Sequence, residues 1–196
     1  MSEFTAISSV TQTLRELLEA HITKSTEPVL SGVPIDLRTP REMRKAQNAL
    51  GVSLWLYRVA RHGDLLNRPP RRPEPGKMLH HSLPVDLYYL VTPIAKEPKD
   101  EQALMGRVLQ VFNDHPILRG SDLRDDLEGS GEELRIVFDA VSLNEMAQVW
   151  QGLQESYQLS VAYLVQVVTI DSGLEPVEAS PVVARESGYG QIVGVE

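Results

Sequence analysis

The sequence predicts an α+β fold: a mixed, mainly antiparallel sheet flanked by helices. Three observations predict it. Two strand-like runs, 51–60 and 83–95, are separated only by a loop, the arrangement of an antiparallel hairpin. Helical patterns fall between the other strands, so they must pack onto one or both faces of the sheet. The run 51–60 is largely apolar on both faces, which requires an interior strand or a second face that meets another chain.

Residues 4–22 place Phe4, Ile7, Val10, Leu14, Leu17, Leu18 and Ile22 at the three-and-four spacing of a helix with one buried stripe. After the turn residues of EPVLSG, Val33, Ile35 and Leu37 alternate as a short first strand. TPREMRKAQNAL holds a helical turn or two after Pro40. GVSLWLYRVA then sets Val52, Leu54 and Leu56 on one face and Ser53, Trp55, Tyr57 and Val59 on the other. In LPVDLYYLVTPIA, Leu83, Val85, Leu87, Tyr89 and Val91 alternate with Asp86, Tyr88, Leu90 and Thr92.

The next helix lies in KDEQALMGRVLQVFNDHPIL. Acids at its start suit the positive end of the helix dipole, Leu104, Met105, Val108, Leu109 and Phe112 form its stripe, and Pro116 stops it. ELRIVFDAV, with Leu134, Ile136 and Phe138, is a fourth strand. SLNEMAQVWQGL opens with a capping box, Ser142 with Glu145 three residues on, and carries Leu143, Met146, Ala147, Trp150 and Leu153 as its stripe. YQLSVAYLVQVVTID is the longest strand, with Leu159, Val161, Tyr163, Val165 and Val167 on one face. The organisation is one domain over residues 1–172, interrupted by a long basic loop at 61–82, then a turn-rich C-terminal arm over 173–196 with one short apolar run, PVVA.

The chain carries a net charge of -8, but unevenly. From Arg38 to Lys77 there are ten Lys or Arg against three acids, +7; the remaining nine bases and 24 acids give -15. Such a split favours association, one face attracting the opposite face of another copy, although charge also simply follows solvated loops. The loop from Arg61 to Lys77 concentrates the basic charge and is stiffened by Pro69, Pro70, Pro73 and Pro75. Prolines lower the entropy lost on ordering, which suits RPPRRPEP to lie extended across a neighbour.

Several chemistries are disfavoured. With no cysteine there is no disulfide, thiolate nucleophile or thiolate metal site, a composition that fits a reducing cytoplasm. No apolar run approaches the ~20 residues that span a bilayer, and MSEFTAISSVTQTLRELLEA lacks the basic start and cleavage site of an export signal. His21, His62, His80, His81 and His115 lack metal-ligand spacing, so no metal is expected; His115 suits the terminal carbonyls of its helix. There is no GxSxG elbow. DLEGSGEEL lacks the lysine of a phosphate loop and reads as a turn, and Asp125–Asp126 and Glu132–Glu133 read as solvated charge. No catalytic residue and no cofactor is expected. Arginines interleaved with Trp55 and Tyr57 leave a nucleic-acid-binding or other interaction module as the alternative, against an acidic chain and aromatics that sit in an apolar strand.

Six blocks, in order and spacing, add a resemblance: ALGVSLWLYRV, the loop NRPPRRP, LPVDLYYLVTPIA, DEQALMGRVLQVFNDHPIL, LNEMAQVWQGL and YQLSVAYLVQVVTID. Over roughly residues 5–172 the chain resembles the DUF4255 family, named for the N-terminal domain of the cap protein of extracellular contractile injection systems. The blocks DLYYLVT and LMGRVLQVFNDHPIL are the most telling. The resemblance implies a tail-terminator-like fold and a non-enzymatic role: a homo-hexameric ring that ends the inner tube and caps the sheath of a phage-tail-like particle. Such a particle is assembled in the cytoplasm and then released or retained. The implied partners are further copies of the chain and the tube and sheath proteins, with no nucleic acid and no membrane span. The expected interface comprises Arg61, Arg68, Arg71, Arg72 and Lys77 in the loop, Trp55 and Tyr57 on the preceding strand, and Pro176, Val182 and Arg185 in the arm.

Overall fold

A computed structural model describes residues 4–47, 49–65, 69 and 76–178. In chain order the elements are α1 (Ala6–His21), β1 (Ile35–Asp36), α2 (Pro40–Lys45), β2 (Gly51–Arg61), β3 (Lys77–Met78), β4 (Leu83–Ile94), α3 (Pro98–Asp114), β5 (Ile117–Arg119), β6 (Glu133–Asp139), α4 (Leu143–Gly152), β7 (Val161–Ile170) and β8 (Val177–Glu178). Six strands form one sheet in the order β1-β2-β4-β7-β6-β5, and β3 pairs with β8 in a separate ladder. Only β1–β2 is parallel; every other pair is antiparallel, including the expected β2–β4 hairpin. The fold is thus the expected α+β class.

One face of the sheet is covered by α1 and α3. Val10, Leu14 and Leu18 of α1 and Leu104, Val108 and Phe112 of α3 meet Val52, Leu54, Leu87, Tyr89, Val91 and Val165 in the main core. Each such side chain contributes roughly 1.5–3 kcal/mol by leaving water. Tyr89 is fully buried there, and its hydroxyl lies 2.7 Å from that of Thr11. Burial drives its phenol far above the ordinary tyrosine range.

The opposite face is covered in part by α4. Met146, Trp150 and Leu153 pack on Leu90 and Ala162, with Trp55, Tyr57 and Val149 at the margin. The capping box is formed: the Ser142 hydroxyl accepts from the Glu145 amide at 3.3 Å, and the Glu145 carboxylate accepts from the Ser142 amide at 3.0 Å. The turns expected after Pro40 are α2, which has its own capping box between Thr39 and Glu42. At the start of β2, Gly51 is obligatory, because a Cβ there would stand 2.7 Å from Met43 Cε and 2.8 Å from the Pro34 carbonyl.

Alternation along the strands breaks at two bulges. Tyr57 is an extra residue on β2, between the pairs Leu56–Tyr89 and Arg58–Tyr88. Val59 therefore pairs with Leu87 and joins the α1/α3 face, not the face of Trp55 on which the sequence sets it. On β7, Gln166 and Val167 together span one β4 residue, since Val85 pairs with Val168 and Leu87 with Val165. Val168 thus takes the core place after Val165 and is 2% exposed. Two helix-stripe expectations also change. Phe4 precedes α1 and is 82% exposed, and Leu143, the first residue of α4, points outward and is 70% exposed.

Candidate functional site

The expected interface residues fall into three groups. Trp55, Tyr57 and Arg61 lie on β2, Lys77 opens β3, and Pro176 immediately precedes β8. Arg68, Arg71, Arg72, Val182 and Arg185 lie outside the described residues.

β3 and β8 bring the loop and the arm together. Lys77 pairs with Glu178 and Met78 with Val177. In an antiparallel ladder of this register, the chain entering Lys77 and the chain leaving Glu178 are at the same end. The basic loop and the C-terminal arm, read from sequence as separate features, therefore have a common base.

Trp55 and Tyr57 are half-buried beside α4, their ring centroids 6.1 Å apart. Tyr57 meets Tyr88 edge-on at 6.3 Å, and the Arg58 guanidinium lies 4.7 Å from the Tyr88 centroid in a cation–π contact. Tyr57, Arg58 and Tyr88, with Asp139, Glu145 and Gln148, line an open recess of about 640 Å³. Asp139 is pushed above the ordinary aspartate range by partial burial and then by the nearby Glu145, while Arg58 acts in the opposite direction. Glu145 is held below the ordinary glutamate range, first by its bond from the Ser142 hydroxyl. The same partial burial raises the Tyr57 phenol.

The basic segment is less free than its charge sum suggests. Arg38 forms a forked pair with Asp36 at 2.6–3.0 Å. Arg41 lies 3.6 Å from Glu155 and donates to the Leu153 carbonyl at 3.2 Å, which fastens α2 to the end of α4. Arg44 reaches Gln158 at 2.9 Å and Glu101 at 3.4 Å. These three arginines stabilise the fold itself. Arg61 is exposed at the end of β2, with no ion pair among the described residues.

The remaining residues singled out by sequence have structural roles. His115 Nδ1 lies 2.9 Å from the Val111 carbonyl, the expected helix-end contact, and His21 repeats it on Leu17 at 2.9 Å. Their rings are 4.9 Å apart. His62 Nδ1 lies 2.9 Å from the Asp86 carboxylate, a pairing across the hairpin that spacing alone does not reveal. Gly129 and Gly131 have φ of 69° and 74° in the expected turn. Among the described residues no group of three or more His, Asp or Glu is arranged to hold a metal. No helix among them is long and apolar enough to cross a membrane.

Sequence reasoning missed a second recess, an apolar groove of about 500 Å³ between the end of α3 and β6–β7. Leu109, Phe112 and Pro116 form one wall, and Ile136, Phe138 and Tyr163 the other. Phe138 alternates with the buried Leu134 and Ile136 on β6, yet it is 54% exposed at the groove mouth and stacks edge-on against Tyr163 at 5.6 Å. The exposed apolar ring is visible only once the end of α3 is placed.

Fold and surface together define an α+β domain with helices on both faces of its sheet and two open recesses, one on each face. The family follows from the sequence match: the chain belongs to the Pvc16 N-terminal domain family, whose model matches residues 9–184. The match agrees with the contractile-injection-system resemblance carried by the six blocks. No curated protein sequence matches the chain. Among solved structures, it is similar to the cryo-EM structure of the sheath/tube terminator of an extracellular contractile injection system, PVC, in the extended state. That likeness has a TM-score of 0.66 and 22% identity, covering 100% of this chain and 67% of the other. It is also similar to the tube-terminating cap of the anti-feeding prophage, with a TM-score of 0.62 and 20% identity over 92% of this chain and 60% of that one. The chain thus spans about two thirds of the length of these neighbours.

Proposed function

We propose that this domain is a cap subunit that ends the inner tube and sheath of a phage-tail-like contractile particle, acting as a ring of six by contact and not by catalysis. The observation that carries the reading is the family match over residues 9–184; the likeness to two terminator and cap structures supports it.

The physical task of a cap is narrow. A tube ring presents an end surface on which heterologous contacts propagate until something binds that end without offering a new one. A closed ring with one mating face meets this requirement. In it, the apolar sheet and helix surfaces supply most of the association energy, and charged contacts set register and orientation. Arg61, Lys77 and the arginines Arg68, Arg71 and Arg72 serve as those charged contacts, aimed at acidic surface on the adjacent subunit or the sheath. Pro176, Val182 and Arg185 extend the same contact through the arm, Tyr57 contributes an aromatic edge of the recess beside α4, and Trp55 adds apolar surface on the same face of β2. Assembly takes place in the cytoplasm, before any release of the particle.

The test is deletion of residues 67–75 in the producing cell, followed by negative-stain imaging of purified particles. The chain is expected to fold with unchanged circular dichroism, while particles lose their distal ring and their tubes vary in length. Capped particles of normal length would remove the loop from the interface. Particles of normal length in a strain lacking the whole chain would remove the cap function.

A further inference from the structure

The C-terminal ends of α1 and α3 meet over a pair of histidines. His21 is the last residue of α1 and His115 caps α3, and their rings lie 4.9 Å apart, tilted by 57°. Each ring uses Nδ1 in the same way: it lies 2.9 Å from the carbonyl four residues back, Leu17 for His21 and Val111 for His115. A carbonyl only accepts, so both Nδ1 atoms carry a proton and donate it. In neutral imidazole that leaves Nε2 as a lone pair, and neither Nε2 has a partner among the described residues.

Such rings are prepared to bind a metal. Ligating imidazoles characteristically donate their other N–H to a backbone carbonyl or a carboxylate, which fixes the tautomer and makes the free nitrogen more basic. The spacing fits as well. Two imidazoles bound to one ion at roughly 2.0–2.1 Å per bond, near the tetrahedral angle, have ring centres about 5 Å apart. Imidazole nitrogen suits Zn²⁺, Ni²⁺ and Cu²⁺, whereas Mg²⁺ and Ca²⁺ take oxygen donors.

The surroundings favour a cation on balance. Both helices end at this pair, so the negative ends of both helix dipoles lie beside it. Asp114, exposed next to His115, has no ion pair among the described residues, and its charge acts in the same direction. The opposing charge is Arg107 on α3. Its guanidinium donates to the His21 carbonyl at 3.2 Å and to the Gln110 side chain at 2.8 Å, and is thus turned to oxygen acceptors of its own. Both histidines are only partly buried, which leaves room for an ion to arrive with water.

We propose that His21 and His115 bind one late first-row divalent cation, of the class of Zn²⁺, Ni²⁺ and Cu²⁺, through their two Nε2 atoms, with water completing the coordination. The ion ties together the ends of the two helices that cover one face of the sheet. Two protein ligands make a weaker site than the four of a structural zinc centre, so the ion adds to a fold that forms without it. Spacing along the chain hides the pair, because its members lie on different helices. The site is independent of the cap and ring readings.

The test uses the untagged full-length chain, stripped of metal with EDTA and dialysed. Calorimetric titration with zinc chloride is expected to show saturable binding of one ion per chain, and Tm is expected to rise as zinc is added, with no response to magnesium chloride. His21→Asn and His115→Asn each keep a side-chain amide that can donate to the helix carbonyl but lack Nε2. Each is expected to weaken zinc binding by about tenfold or more with circular dichroism unchanged. His80→Ala combined with His81→Ala, which removes the other neighbouring pair, is expected to bind zinc as the unaltered chain does. Electron paramagnetic resonance of the Cu²⁺-loaded chain is expected to show coupling to two imidazole nitrogens, and to one in either Asn variant. No saturable binding, binding that survives either Asn substitution, or binding lost only with His80 and His81 would overturn the proposal. A lower metal-free Tm in the Asn variants with zinc affinity intact would overturn it too, leaving the helix-end hydrogen bonds as the sole role of the two rings.

Discussion

Trp150→Ala tests whether α4 is held on the sheet by the small second core. Trp150 is 1% exposed, and its Nε1–H donates to the Ser160 hydroxyl at 3.1 Å. Its cluster contains only four other buried residues, Leu90, Met146, Leu153 and Ala162, so the surroundings have little material with which to close a cavity. Truncating a buried tryptophan costs about 3–5 kcal/mol, and poor collapse places this site near the upper end, about 4 kcal/mol. For a domain of this length that corresponds to a fall in Tm of roughly 8–16 °C. Trp150→Phe retains most of the volume but leaves the Ser160 oxygen without its donor, at a cost of about 2 kcal/mol. The assay is urea unfolding followed by far-UV circular dichroism and by fluorescence. The chain has two tryptophans, so either variant leaves Trp55 as the sole reporter. Because Trp55 packs against the same cluster, its emission shifts to the red in Trp150→Ala and much less in Trp150→Phe. A loss below about 1 kcal/mol, or unchanged Trp55 emission, would refute the view that α4 is anchored through this residue.

Ser142→Ala removes the hydroxyl half of the α4 capping box and is expected to cost about 1 kcal/mol with an unchanged denaturant slope, measured by urea titration. Asp139→Asn is expected to stabilise the protein at pH 7. The folded state raises the Asp139 pKa, so the aspartate's relative contribution is present below its unfolded pKa and is lost as pH rises through the folded one. Thermal melts of the two proteins should therefore converge below the ordinary aspartate range and separate above it; equal Tm values at pH 7 would contradict the assignment. Arg44→Ala is expected to lower Tm by breaking the contacts with Gln158 and Glu101, leaving assembly of the folded fraction unchanged in sedimentation velocity. Arg61→Ala is expected to do the opposite, because its guanidinium is exposed at the base of the loop.

The elements were legible in the sequence wherever a single period held. The α1 and α3 stripes, the α4 capping box and the β2–β4 hairpin all follow from local patterns, because the side chain that defines each signal lies within a turn or a strand of its partner. Strand order was not legible. The placing of β7 between β4 and β6, and the parallel addition of β1, depend on pairings between residues far apart in sequence. The bulges at Tyr57 and at Gln166–Val167 hide in the same way. Alternation says that neighbours point to opposite faces, and one extra residue reverses every face beyond it, which is why Val59 and Val168 changed sides.

The interaction surface shows why charge sums and apolar patterns mislead in opposite directions. The +7 of residues 38–77 counts Arg38, Arg41 and Arg44 as available charge, but Asp36, Glu155 and Glu101 engage them within the fold, two of the three from more than fifty residues away. Counting residues cannot detect that cancellation. Phe138 errs the other way. Its alternation with Leu134 and Ile136 correctly assigns it to the α1/α3 face, but a face is not the same as cover. α3 ends at Asp114 and the chain turns at Pro116 into β5, which leaves the edge of β6 opposite β7 without a described strand beyond Arg135. The uncovered ring and the open backbone edge therefore share one cause, the early end of α3 and β5. A sequence pattern records which side of a sheet a residue occupies, whereas the length of a neighbouring element decides whether that side is core or interface.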